Sequence, residues 1–141
     1  MTIDPAVVGR TYYSQRPYDV GREKVREFAE SIGDPRPDYV AADADAPLAP
    51  PTFVFVLTLD GWHAIMADLE IEFSRVLHVD QRFVSKRPLR VGDVITGVAE
   101  IESVRERMGM AWLVIRTDVR TDQDELVAST YSTILVREEA A

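Results

Sequence analysis

The 141-residue sequence predicts an α+β fold in which helix packs on one face of an antiparallel sheet. Three observations carry this. A segment near the N-terminus repeats apolar residues at helical spacing, a second apolar segment follows a proline-rich loop, and the C-terminal half breaks into β-rich runs separated by turn signals. The length is that of a single domain, residues 1–141, and 46% hydrophobic residues suffice for a core of its own.

Between Asp19 and Ile32, the apolar Val25, Phe28, Ala29 and Ile32 fall at i, i+3, i+4 and i+7, opposite Arg22, Glu23, Lys24, Arg26, Glu27 and Glu30. This spacing predicts an amphipathic helix. Asp19 is placed to cap it, and Gly33-Asp34-Pro35 must end it, because a proline disfavours the helical conformation at the residue before it. Pro35 to Pro51 holds five of the eight prolines and reads as an ordered loop. Thr52 to Leu69 is apolar nearly all round, so periodicity leaves two readings. The β-branched residues and Asp60-Gly61 suit two strands and a hairpin, whereas the length and the Pro50-Pro51 entry suit a buried helix of roughly 27 Å.

Farther on, Leu77, Val79, Gln81 and Phe83 alternate with His78, Asp80 and Arg82, a strand pattern that puts His78 and Asp80 on one face. After a Gly-Asp turn within Pro88 to Asp93 come three β-rich runs, Val94 to Val104, Ala111 to Val119 and Leu126 to Val136. Arg107-Met108-Gly109 and Thr121 to Glu125 mark the turns between them, which predicts an antiparallel meander.

Composition excludes several functions. Sixteen Lys and Arg against 24 Asp and Glu give a net charge of −8, which repels nucleic acid and anionic membrane surfaces. With no cysteine and two histidines, neither a disulfide framework, a thiol nucleophile nor a metal site is expected, and no cofactor motif is present. Phe53 to Leu59, the longest apolar stretch, is too short to cross a bilayer, and the N-terminus lacks the pattern of a signal peptide. A cytoplasmic location is the expectation.

The polar residues in apolar or rigid surroundings are Asp34, Tyr39, Thr52, His63, His78 and Asp80. Four of them also have a plain account. Asp34 suits a turn carboxylate, His63 a core or interface histidine, and His78 with Asp80 a solvated strand face. If His78 and Asp80 do pair, the carboxylate fixes the imidazole tautomer and raises its pKa.

The order Val8-Gly9, Pro17-Tyr18, Val20 to Ala29, Ile32-Gly33-Asp34-Pro35, Ala49 to Phe53, His78-Val79-Asp80-Gln81 and Arg87 to Asp93 resembles the MaoC-like hotdog dehydratases. More closely, it is similar to the actinobacterial N-terminal-type subunits of (3R)-hydroxyacyl-ACP dehydratases, and the likeness runs from about Val8 to Arg137. The resemblance implies a hotdog fold, an antiparallel sheet wrapped around one long central helix, and so assigns Thr52 to Leu69 to that helix. It also implies a dimer whose acyl-thioester tunnels lie at the subunit interface.

Active members of that family carry Gly-Asp-x-Asn-Pro-x-His. Here Gly33, Asp34 and Pro37 match, but Arg36 stands in place of the Asn and Tyr39 in place of the His. The family's Asp and His handle the water and the α-proton in elimination from a (3R)-3-hydroxyacyl thioester, while amides at the start of the central helix hold the thioester oxygen. Tyrosine, with a pKa near 10, is a poor base at neutral pH.

The resemblance therefore implies a substrate-shaping subunit that pairs with a catalytic MaoC-like hotdog subunit. Asp34 and Tyr39 would lie at a vestigial catalytic site, and Thr52, Phe53 and Asp80 would bind substrate, an acyl thioester of acyl carrier protein or coenzyme A. Two alternatives stand beside it. One is a self-sufficient homodimeric (R)-specific hydratase with His78 as relocated base; the other is an acyl-thioester-binding protein without turnover. Arg82, Lys86, Arg87 and Arg90 are the candidate basic patch for an acidic carrier protein.

Overall fold

A computed structural model of the chain describes residues 3–41 and 47–138. Strands β1 (Thr11–Tyr13), β2 (Tyr18–Asp19), β3 (Val76–Ser85), β4 (Val94–Arg107), β5 (Met110–Thr121) and β6 (Leu126–Val136) form one antiparallel sheet. Its order is β1-β4-β5-β6-β3, with β2 also pairing β4. The predicted meander is thus β4-β5-β6. β5 alternates half-buried and buried residues along its whole length, the period of two that brings Leu113, Ile115 and Val119 inward. Met108 and Gly109 join β4 to β5 with φ of 55° and 74°, the two positive angles of a primed two-residue hairpin.

Helix α3 (Phe55–Asp68) lies against the sheet and resolves the ambiguous segment as helix. Trp62, Ile65 and Met66 pack with Ile101, Leu113, Ile115 and Ile134, while Leu57 and Phe53 join Val25, Ala29, Ile95 and Val127 in a second cluster. The Asp60-Gly61 pair is not a hairpin turn. A Cβ added at Gly61 would stand 2.6 Å from the Ala99 Cβ, so this glycine is what lets α3 approach β4. The helix is also shorter than its apolar segment, because Pro51 to Val54 form turns ahead of it.

Helix α1 (Arg22–Ser31) follows the predicted amphipathic pattern, with Val25 and Ala29 fully buried. Asp19 does not cap it. Asp19 is still extended and paired with Val94, and Val20 continues the pairing through its amide to the Asp93 carbonyl, so Gly21 becomes the N-cap. At the other end the Gly33 amide reaches the Glu30 carbonyl and the Asp34 amide the Ala29 carbonyl, with Gly33 at φ 72°. This is a Schellman stop, and it leaves Ile32 49% exposed rather than on the buried face. The predicted loop after it contains a one-turn helix, α2 (Pro37–Val40), and its residues 42–46 lie outside the described residues.

β3 departs from simple alternation. His78 pairs with Ile134 and Asp80 with Thr133, so Val79 is bulged and two residues of β3 oppose one step of β6. The expectation that His78 and Asp80 share a face is therefore corrected: their partners are consecutive residues on opposite faces of β6.

Candidate functional site

The Schellman stop delivers Asp34 to the surface directly before Pro35-Arg36-Pro37, where two prolines restrict the backbone around Arg36. Arg36 is the extended N-cap of α2, and Pro37 occupies its first turn. One helical turn then brings Tyr39 beneath Arg36, since side chains three apart share a face. The Arg36 Nε donates to Asp34 Oδ1 at 2.8 Å, and its guanidinium carbon lies 5.3 Å from the Tyr39 ring centroid. Asp34 is therefore an ion-pair partner and not a turn carboxylate. Its hydrogen bond is the main reason the Arg36 guanidinium is raised above its already high pKa.

Tyr39 itself is buried and lines a cavity of about 190 Å³ with Leu48, Ala49, Val54, Pro88 and Leu89, beside the start of α3. Here the chain turns before it becomes helical. The amides of Phe53, Phe55, Val56 and Leu57 bond the carbonyls of Pro50, Thr52, Phe53 and Val54, each three residues back. Such bonds use donors that a plain helix N-terminus would leave free, so few amides remain for a thioester oxygen. Thr52 is half-buried in this turn. The Phe53 side chain is fully buried between Tyr18 and Phe28, with ring centroids at 6.3 and 5.4 Å, and presents no surface to a ligand.

His78 stands apart, on β3. Its ring stacks on Phe55 at 5.7 Å and meets Trp62 edge-on at 4.9 Å. Nε2 lies 3.2 Å from the Asp80 carbonyl and 3.1 Å from Gln81 Oε1, and Ser132 Oγ donates to that same Gln81 oxygen at 2.6 Å. A carbonyl only accepts, so Nε2 is the donor to it. The Asp80 main chain, not its carboxylate, orients the imidazole.

His63 is exposed on α3, tilted on Phe73 at 5.5 Å. It is not part of this chain's core. It borders a groove of about 500 Å³ between α3 and the 12–16 segment. Among the described residues no group of three or more His, Asp or Glu is placed to hold a metal ion.

The family model of the FAS1-like dehydratase domain region matches residues 6–130. The chain belongs to this family. A UPF0336 protein of Streptomyces coelicolor is 41% identical over 145 aligned residues, 97% of each chain. Among solved structures, the HadBC complex of Mycobacterium tuberculosis, a 3R-hydroxyacyl-ACP dehydratase, superposes with a TM-score of 0.81 at 32% identity over 92% of this chain and 96% of that one. A MaoC-like dehydratase gives a TM-score of 0.84 at 25% identity, covering 94% of this chain but 42% of that longer one. The architecture is accordingly the hotdog of the MaoC-like dehydratases.

Within this dehydratase-region hotdog, Asp34 and Tyr39 come together, with Arg36 between them, whereas His78 and Asp80 belong to a separate part of the sheet. Arg36 was absent from the sequence candidates, although its spacing of two from Asp34 and three from Tyr39 was a readable signal. The aromatic setting of His78 had no local signal, since it needs α3 against β3. The proposed basic patch loses its central member. Arg87 is held by Asp93 through Nη1 at 2.9 Å and by Glu125 through Nε at 3.1 Å, and Arg82 lies over the Tyr131 ring at 3.9 Å. No helix among the described residues is long and apolar enough to cross a membrane.

Proposed function

We propose that this chain is the substrate-shaping, non-catalytic subunit of a (3R)-3-hydroxyacyl thioester dehydratase and works by pairing with a catalytic hotdog subunit. The observation that carries this reading is the Asp34–Arg36–Tyr39 arrangement: the Asp34 carboxylate is engaged by a guanidinium 2.8 Å away, and a tyrosine occupies the place of the family's base. General acid-base assistance is typically worth about 10² to 10⁴ in rate, so its loss leaves an isolated chain with little turnover.

Two further observations support a partner. Among the described residues β3 ends the sheet with no strand on its outer side, and its Leu77 and Val79 are 44% and 47% exposed. Second, the similar MaoC-like dehydratase chain is more than twice as long as the region this chain covers, which leaves room in it for a second hotdog. The cavity beside Tyr39 and the half-buried Thr52 turn are this chain's candidate contributions to an acyl-thioester tunnel.

The purified chain should fail to hydrate a crotonyl or longer enoyl thioester by itself and should support hydration when mixed with a catalytic hotdog subunit. Robust hydration by the chain alone would sink the proposal.

A further inference from the structure

The proposed reading attributes the lost activity to the tyrosine at position 39; the geometry assigns a second and independent part to its neighbour. We infer that Arg36 closes this site to acid-base chemistry in its own right, by holding the Asp34 carboxylate and by fixing a positive charge where a protonated base at position 39 would have to stand. The inference rests on the reading above and names the residue that enforces it.

The guanidinium is placed by its backbone and by one ion pair. Its backbone is extended, at φ −65° and ψ 152°, between Pro35 and Pro37, and its Nε is bonded to Asp34. From there its carbon lies 5.3 Å over the Tyr39 ring. A cation over a neutral aromatic ring is attracted to its face. An imidazole in that position that accepts a proton becomes a second cation at the same distance, and like charges disfavour the charged form. Arg36 and Tyr39 thus suit each other, whereas Arg36 and a base at position 39 do not. Among the described residues, the other charged groups around position 39 are Asp34 and Asp38 on the same segment, Arg22 on α1, which donates to the Ala41 carbonyl, and Arg87 across the cavity, held by Asp93 and Glu125. None of these is altered in the comparison below.

Tyr39→His and the double variant Tyr39→His with Arg36→Asn are compared as isolated full-length chains, and the new imidazole is titrated by NMR. The acid dissociation constant of the imidazolium should be about fourfold smaller in the double variant, the effect of removing one unit charge roughly 5 Å away under water-like screening. Arg36→Lys in the same background keeps the charge and should keep the constant near that of Tyr39→His. If Tyr39→His does not fold, Tyr39→Cys replaces it. The chain contains no cysteine, so the pH dependence of alkylation reads that one thiol, and removing the cation should again lower its dissociation constant about fourfold. Constants that agree with and without Arg36 overturn the inference. Neither titration involves a thioester or a partner, so this failure is distinct from failure of the subunit reading, which only the hydration assay can show.

Discussion

The α1–α2 junction and the β3 edge differ in where their polar and apolar groups find partners. At the junction they lie within a few residues of chain: Gly33 and Asp34 close α1 by main-chain bonds, Asp34 takes the Arg36 Nε, and Arg36 covers Tyr39. At β3 the inner groups reach α3 and β6, where His78 meets Phe55 and Trp62 and Gln81 meets Ser132, while no strand among the described residues pairs with the outer edge. Unpaired edge strands invite another chain unless charge, proline or a bulge protects them. β3 has its bulge at Val79, yet the bulged residue and Leu77 are apolar and exposed. One region is complete in itself, and the other is the edge to which the proposed partner subunit is assigned.

The largest effect should come from breaking that difference at its open side. Lysines at both positions, Leu77→Lys with Val79→Lys, would be harmless to the isolated chain because both side chains already reach solvent. Covered by a partner strand they would become buried, unpaired charges, which cost about 3 kcal/mol or more. Association with the catalytic subunit, followed by sedimentation or calorimetry, should weaken at least about a hundredfold while the chain's own melting temperature hardly moves. Unchanged association would show that the edge is not the seat of the partner.

A smaller, purely internal effect is expected where α3 meets β4. The Cβ of Gly61→Ala cannot rotate away from Ala99, so the helix must shift or the contact must strain, at a cost of about 2 kcal/mol in denaturant unfolding. A variant as stable as the parent would mean that α3 is loosely seated, and with it the whole inner side of β3.

The same division governs what the sequence disclosed. The junction was legible because its determinants are local: Gly-Asp-Pro ends a helix by rules that act over three residues, and Asp34 and Tyr39 are held on one short segment. The meander was legible too, since β5 alternates regularly, β6 alternates over its middle, and the turns carry glycine or clustered polar residues. The limits of β6 match the β-rich run Leu126 to Val136. What escaped depends on distant partners. β1 and β2 span three and two residues and exist only because β4 pairs with them. The bulge at Val79 arises in the register with β6, and nothing in His78-Val79-Asp80 marks it. Asp60-Gly61 looked like a turn because a glycine that admits a close helix and a glycine that makes a hairpin are the same residue in sequence. Arg36 is the exception, a local feature passed over because an arginine between two prolines resembles ordinary loop polarity.

The smallest expected effect tests a third polar cluster that resembles the junction in being internally partnered but is less exposed. Asp93 accepts from Arg87 Nη1 at 2.9 Å, Arg87 Nη2 at 3.3 Å and the Arg90 amide at 2.8 Å, tying the turn before β4 to the end of β3. Burial alone would push its carboxyl upward, but the Arg87 guanidinium and the Arg90 amide outweigh that and hold it below the usual carboxylate range. A group whose folded pKa is depressed stabilises the fold above its unfolded pKa, near 4, and loses that contribution as pH falls through the folded value. Asp93→Asn should therefore cost about 1 kcal/mol at pH 7, because Glu125 still holds Arg87 and one acceptor oxygen remains. The gap between variant and parent should close as unfolding is followed from pH 5 downward. The Asp34–Arg36 pair, with side chains 35% and 55% exposed, should contribute little to stability at pH 7, since ion pairs that wet are worth little. A gap at Asp93 that is independent of pH would mean that the carboxylate's charge is not what fastens this turn, and that its hydrogen-bond geometry, which asparagine partly keeps, matters more.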